Sequence, residues 1–221
     1  MTRTLSEHRS LQFLAEFGVP HAPLELVSTP EDARQAAARL GFPVAVKLCG
    51  DSITHKTERG FVRLGVGSPD DVFDAARELL ASMIPGEVID GVLVCKMIGG
   101  IRELIVGLHV DPQFGSCVMV GVGGVLAEAL ADVEFALVPV TPGDAVEMID
   151  ALGAQRLFGE LRGEPPVDRQ ALVDVIVALS TVAEREPDVV SIDVNPLKIA
   201  DGKPVAVDAL VELRAPEVDA T

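Results

Sequence analysis

The sequence has 221 residues, 48% of them hydrophobic, enough for one domain of ordinary size or two small lobes and too many for wholesale disorder. Eighteen Lys and Arg stand against 34 Asp and Glu, a formal charge of −16, so the surface repels nucleic acid and anionic membranes as general partners. Trp and Tyr are absent and Phe occurs eight times, which supplies base stacking poorly, and the acidity disfavours small anions unless a local patch reverses it.

The first helix is predicted from Thr4-Leu5-Ser6-Glu7, read as a capping box, and runs through Leu11, Leu14 and Phe17 to Gly18. One start signal then recurs: Thr29-Pro30-Glu31-Asp32, Ser68-Pro69-Asp70-Asp71 and Thr141-Pro142-Gly143-Asp144. Each offers a hydroxyl cap, a proline at the first helical position and a carboxylate near the positive helix end. The first two open helices ending near Gly41 and Ser82, and a longer helix follows Pro165-Pro166 from Asp168 to Glu186, burying Leu172, Val175, Val177 and Leu179. Strands are read at Leu24–Val27, Pro43–Leu48, Phe61–Val66, Gly91–Met97, Glu103–Val110, Cys117–Gly121, Phe135–Val140, Val189–Val194 and Pro204–Leu210. The alternation points to the α/β or α+β class, with a seam at the Gly99-Gly100 connector.

Cys49, Cys95 and Cys117 lie far apart, forming neither a disulfide framework nor a zinc spacing, and read as free thiols in a reducing cytosol. The N-terminus is polar and no window approaches a membrane-spanning length, so a cytoplasmic location is expected. His8, His21, His55 and His109 are too scattered for a metal cluster, and no H-E-x-x-H or G-x-S-x-G motif occurs.

Four constellations could carry chemistry. In Ser191-Ile-Asp193-Val-Asn195-Pro196 a period of two sets Asp193 and Asn195 on one strand face. Asp201-Gly202 is a hairpin turn, so residues whose numbers total 403 oppose each other and Asn195 faces Asp208, unless Pro196 introduces a bulge. Two oxygen donors so placed could share one Mg²⁺; equally, Asn195 could be a turn residue and Asp208 an edge charge. Lys47 sits in the apolar strand Val44-Ala45-Val46-Lys47-Leu48 and needs a partner if buried: a phosphate is one, and snorkelling at a strand end is the other reading. The loop from Cys49 to Gly60 holds His55 among hydroxyls and cations; it could close over phosphates, present His55 as a nucleophile, or simply be solvated. Gly121-Val-Gly123-Gly124-Val-Leu126 lacks the third glycine of a dinucleotide fingerprint, so these glycines are read as allowing close backbone approach or a tight turn.

In order along the chain, several stretches together resemble the ATP-grasp β subunit of ADP-forming (NDP-forming) acyl-CoA synthetases, the acetate–CoA ligase family. They are also similar to the nucleotide-binding part of the succinyl-CoA synthetase β subunit. The stretches are Gly41–Lys47, Ile53–Glu58, Arg102–Gly107, Asp111–Gly115, Gly121–Gly124, Leu161–Pro166 and Ile192–Leu197 with Val207–Ala209. The resemblance spans roughly residues 5 to 213 and implies an α+β ATP-grasp fold of two lobes clamping a nucleotide. It implies an N-terminal helix over 1–18, one lobe over 19–98 and a second over 99–221. It further implies ATP/ADP and Mg²⁺ as cofactors, with Lys47 on the phosphates. The hinge Val94, Cys95, Lys96, Met97 and Ile98 would offer backbone groups to adenine, with Glu103 near the ribose. Asn195 and Asp208 would hold Mg²⁺ with Asp193 nearby, and His55 would relay a phosphoryl group. The implied reaction is acyl-CoA, ADP and phosphate giving acid, CoA and ATP, shared with a CoA-binding α subunit.

Several positions depart from the family pattern. Glu58 replaces an Asp, Phe61 a glycine, Cys95 and Lys96 an amide or acid, His109-Val110 a Lys-Arg pair, and Ala136 an Arg. The missing cations motivate an alternative, a catalytically weak regulatory or nucleotide-sensing module. A carboxylate–amine ligase has less support, because the His55-Lys56-Thr57 loop has no role there. Between Lys47 and Arg63 four cations meet two acids, a local charge of +2 on the expected phosphate loop.

Overall fold

The computed structural model describes residues 2–51, 53, 56–82, 86–124 and 131–215. In chain order the elements are β1 (Thr2–Thr4), α1 (Glu7–Glu16), β2 (Leu24–Val27), α2 (Pro30–Leu40), β3 (Val44–Cys49), β4 (Val62–Val66) and α3 (Pro69–Ala81). There follow β5 (Gly91–Lys96), β6 (Arg102–Asp111), β7 (Gly115–Val122), β8 (Val133–Leu137), α4 (Pro142–Ala151), α5 (Arg169–Arg185), β9 (Val189–Ala200), β10 (Lys203–Ala206) and β11 (Ala209–Arg214). The chain divides into two units. The smaller comprises Leu5–Arg9 and Ala22–Ile98, and the larger the remaining described residues, including Ser10–His21. Helix α1 is therefore shared, its first turn counted with the smaller unit.

The smaller unit is an antiparallel sheet in the order β2-β5-β3-β4 with helices α2 and α3. Ala33, Ala36 and Ala37 of α2 and Val72, Ala76 and Leu79 of α3 share a core with Val44, Val46, Leu48, Val92 and Val94. Small residues on α2 let that helix lie close to its neighbours. The helix starts are those the recurring signal predicts. Thr29 and Ser68 accept hydrogen bonds from the amides of Asp32 and Asp71 with proline in the first turn. Thr141 does so in a reciprocal capping box with Asp144.

The larger unit has an antiparallel sheet ordered β1-β11-β9-β6-β7-β8, with β10 pairing β9 alone. One face is apolar and buried: Leu104, Val106, Leu108, Val118, Val120, Ile192 and Val194 alternate inward, as does the stripe Leu172, Ile176, Leu179 of α5. The other face stays open and positions the candidate site.

Five expectations need correction. Thr4 lies in β1 rather than capping a helix, and α1 begins at Glu7 because Ser6 is anchored elsewhere: its hydroxyl donates to Asp90 and its amide to Asp51. The strand expected at Phe135–Val140 is Val133–Leu137, stopping short of Pro139, which has no amide hydrogen for the ladder. The strand Val189–Val194 continues to Ala200, and Pro204–Leu210 is split at Val207-Asp208 into β10 and β11. Val177 is only half-buried, Val173 and Ile176 taking the inner positions of α5 beside it.

Candidate functional site

In the smaller unit the chemistry gathers at the start of α1. Lys47, in the middle of β3, is buried at 7% exposure and its ammonium meets Glu7 Oε1 at 2.5 Å. Lys56 donates to Oε2 of the same carboxylate. Burial alone would raise the Glu7 carboxyl, but the two ammonium groups outweigh it and hold the group below the usual glutamate value. Glu7 is thus the partner that the buried Lys47 requires, and sequence reasoning missed it because it assigned this glutamate to a helix cap. The only available signal was indirect: a lysine in an apolar strand demands a countercharge, which can come from anywhere in the chain. The adjacent Cys49 thiol is pushed up by burial.

The local positive charge of this segment does not survive folding. Lys47 and Lys56 meet Glu7, Arg59 meets Glu87, and Arg63 lies 3.6 Å from Glu78, so acids outside the segment answer its cations. Phe61, unusual for its position, is buried in the core beneath Arg59, whose guanidinium stands 4.3 Å from the ring centroid. His55 lies outside the described residues, as does Leu126 of the glycine-rich stretch.

The hinge is more selective than its sequence shows. Val94 and Cys95 are buried and paired on both sides, with β2 and with β3. The Lys96 amide donates to Pro23 O at 2.9 Å and the Met97 amide to Pro43 O at 3.1 Å. In an antiparallel hydrogen-bonded pair the partner returns a second bond, but proline has no hydrogen to give. The carbonyls of Lys96 and Met97 are therefore left as acceptors, while Val94 and Cys95 have their backbones committed to the ladder. Ile98 follows as a half-buried, non-strand residue. The Lys96 ammonium reaches Leu40 O at 3.1 Å.

In the larger unit the candidate metal ligands lie on the open face. The 403 register holds from Lys203↔Ala200 to Glu212↔Ser191: Ala206 opposes Leu197 in the β10 ladder and Ala209 opposes Val194 in the β11 ladder, and it slips only beyond Glu212. Asn195 and Asp208 face each other across the break between, where the Val207 amide donates to Pro196 O at 3.2 Å. A bulge does exist, but on the other side of the strand. Between Leu104↔Leu197 and Val106↔Val194, β9 advances three residues while β6 advances two. The extra residue falls at Asn195-Pro196 on the β6 side and leaves the register toward Asp208 unchanged.

Asp193 and Asn195 line a cleft of about 370 Å³ with Ile105, Met119, Phe135 and His109. Gly107 lies beside Asp193 in the ladder; a Cβ there would come within 3.0 Å of Ile192 O and 3.6 Å of Met119 Cε, so its absence keeps the floor open. Asp193 keeps contact with solvent, yet desolvation by its surroundings raises its carboxyl above the ordinary aspartate value. Glu103 sits opposite Lys198 and pairs with it at 3.2 Å. Gly123 passes directly against β6, its amide donating to Glu103 O at 2.8 Å, which is the close approach read from its sequence.

The donor set is hard oxygen, amide and carboxylate, which suits Mg²⁺ more than a softer metal. Among the described residues no cluster of three His, Cys, Asp or Glu is present, so the pair would leave most coordination positions to water and phosphate. The cleft walls are largely apolar, with the side-chain oxygens of Asp193 and Asn195 among the lining groups.

Residues 1–213 match the ATP-grasp domain family. The chain belongs to it. This ATP-grasp chain is 34% identical over 210 residues to the acetate–CoA ligase [ADP-forming] I subunit beta of Pyrococcus furiosus, covering 94% of the chain and 90% of that subunit. It is 38% identical over 201 residues to acetate–CoA ligase [ADP-forming] I of Archaeoglobus fulgidus, covering 90% of the chain but 29% of that longer protein. The ATP-grasp fold is matched by a dinucleotide forming acetyl-coenzyme A synthetase of Ca. Korarchaeum cryptofilum, solved with coenzyme A and Ca-AMPCP. There the TM-score is 0.89 at 32% identity, covering 96% of this chain and 94% of the other. A second structure of that synthetase, with coenzyme A and Mg-AMPPCP, gives a TM-score of 0.82 at 31% identity over 96% and 93% of the two chains. Among the described residues no helix of this ATP-grasp chain is long and apolar enough to cross a membrane.

Proposed function

We propose that the chain is the nucleotide-binding β subunit of an ADP-forming acyl-CoA synthetase. It works with a CoA-binding α subunit in the cytoplasm and interconverts acyl-CoA, ADP and phosphate with acid, CoA and ATP. The observation that carries this reading is the opposed pair Asn195 and Asp208 beside an open cleft, in a chain matching the ATP-grasp family over residues 1–213. Its similarity to a named beta subunit over 90% of that subunit's length supports the same conclusion.

The roles follow from the chemistry of each group. Lys47 neutralises phosphate charge in a buried setting, where an ammonium is worth more than in water. The Val94–Ile98 segment offers backbone groups to the base, and Glu103 accepts from ribose hydroxyls. Asn195 and Asp208 hold Mg²⁺, with Asp193 nearby. Bound Mg²⁺ supplies charge neutralisation on the phosphates. His55 carries the phosphoryl group, because an imidazole nitrogen is nucleophilic near neutral pH.

The test is reconstitution. Purified chain mixed with a CoA-binding α subunit should form ATP from ADP and phosphate only when acyl-CoA is supplied, and should carry acid-labile phosphate on His55. Uptake of MgADP without transferable phosphoryl would instead mark a nucleotide-sensing module. Absence of both binding and turnover would overturn the proposal.

A further inference from the structure

Three parts of the smaller unit, far apart in sequence, converge on one carboxylate. Glu7 stands at the first position of α1, Lys47 in the middle of β3, and Lys56 in the turn that follows it. The separations are 40 and 49 residues, and each lysine takes a different oxygen. Glu7 is 4% exposed, so the carboxylate has little water to solvate it and its orientation is set by the two ammonium groups. The helix end carrying it is itself pinned. The Ser6 amide donates to Asp51 Oδ1 at 2.9 Å, the Ser6 hydroxyl to Asp90 Oδ2 at 2.8 Å, and Arg9 pairs with Asp51 at 3.0 Å. At the helix start the carboxylate also lies where the backbone dipole favours negative charge.

A fixed carboxylate shared by two lysines does more than neutralise them. A lysine side chain is long and flexible, and ordering it on a phosphate costs conformational entropy unless it is already held. Glu7 holds two at once, and it ties the turn carrying Lys56 to the strand carrying Lys47. Lys56 immediately follows His55 in the sequence. We infer that Glu7 is a positioning residue, one that sets the Lys47 and Lys56 ammonium groups for the phosphates of the nucleotide. The inference rests on the proposed nucleotide-binding function and extends it to a residue that touches no substrate.

The test is calorimetric titration of the full chain with MgADP, alongside thermal unfolding, for wild type, Glu7→Gln, Lys47→Met and the double variant. Glu7→Gln keeps the size and loses the charge, and is expected to weaken MgADP binding about tenfold. Lys47→Met weakens it at least as much. Because Glu7 acts through the lysines, adding Glu7→Gln to Lys47→Met should cost less than it does in the wild type, a coupling that general loosening of the fold would not produce. Should Glu7→Gln fail to fold, Glu7→Asp retains the charge but withdraws it by one methylene, and is expected to lose affinity about threefold. Wild-type affinity in a folded Glu7 variant, or full multiplication of the two effects, overturns the positioning role and leaves the nucleotide site standing. A wild-type chain that takes up no MgADP overturns the nucleotide-binding reading, and the role of Glu7 with it.

Discussion

Asn195 stands opposite Asp208 at the point where β9 exchanges one antiparallel partner, β10, for the next, β11. The flanking pairs, Leu197↔Ala206 and Val194↔Ala209, keep the two residues in register across the break. Opposed side chains in such pairs lie roughly 4.5–5.5 Å apart at Cβ, a separation that one cation with oxygen ligands can bridge.

Asn195→Ala and Asp208→Asn should therefore each weaken Mg²⁺-dependent ADP binding about tenfold or more, with little change in stability, because Asn195 is exposed and Asp208 half-buried. Titrating ADP at several Mg²⁺ concentrations reads the effect. If both variants keep the wild-type dependence on Mg²⁺, the pair is not a metal site.

Arg102 is expected to be a structural anchor of the larger unit. It is 2% exposed, pairs with Glu164 at 3.1 Å, and donates to the carbonyls of Leu157, Gly159 and Pro165 at 3.2, 3.1 and 2.6 Å. Arg102→Ala strands these acceptors and should cost about 3–5 kcal/mol of stability. Arg102→Lys should recover only part of this, since one ammonium cannot reproduce the spread of a guanidinium fork. Urea unfolding measures both variants, and a lysine variant as stable as wild type would contradict the assignment.

The pH dependence of the smaller unit has a definite sign. The Glu7 carboxyl is held below its unfolded value, so it binds fewer protons in the folded chain than in the unfolded one. Its contribution is fully present above the unfolded glutamate value of 4.5 and is lost as pH falls through the lowered folded one. Glu7→Gln removes this contribution. The stability difference between wild type and variant should be constant near neutrality and shrink on acidification below pH 4.5, as read from urea midpoints across a pH series. A difference that grows on acidification would reverse the sign and refute the account.

Gly123→Ala tests the close approach of the glycine-rich stretch to β6. A Cβ at this position would lie 2.9 Å from Leu104 O and 3.1 Å from Glu103 C, both backbone atoms that cannot step aside cheaply. A loss of about 1–3 kcal/mol is expected, measured by chemical denaturation. A neutral substitution would mean that β6 can move away at no cost.

Much of this was legible in the sequence wherever the determining chemistry is local. The starts of α2, α3, α4 and α5 follow from a hydroxyl or carboxylate cap, with proline beside it in the first three, and the Asp201-Gly202 turn fixes a register that carries Asn195 to Asp208. What could not be read depends on partners distant in the chain. Glu7 belongs to two lysines 40 and 49 residues away, so its neighbours suggested a cap instead. Pro196 hints at a bulge, but that it falls on the side of β6, a strand some ninety residues earlier, and leaves the count toward Asp208 unshifted lies beyond the local sequence. The positive stretch from Lys47 to Arg63 reads as +2 in sequence because Glu7, Glu78 and Glu87 lie outside it.

Pro23 and Pro43, on either side of the last residues of β5, have a consequence that reaches into solution behaviour. Hydrogen bonds in a ladder open and close as strands breathe, and an acceptor freed by breathing is recaptured whenever its donor returns. At Lys96 and Met97 there is no donor to return, because the opposing nitrogens are substituted by carbon in every conformation and at every pH. The Lys96 and Met97 carbonyls, which point to opposite edges of the chain, thus receive no ladder bond from the proline facing each of them.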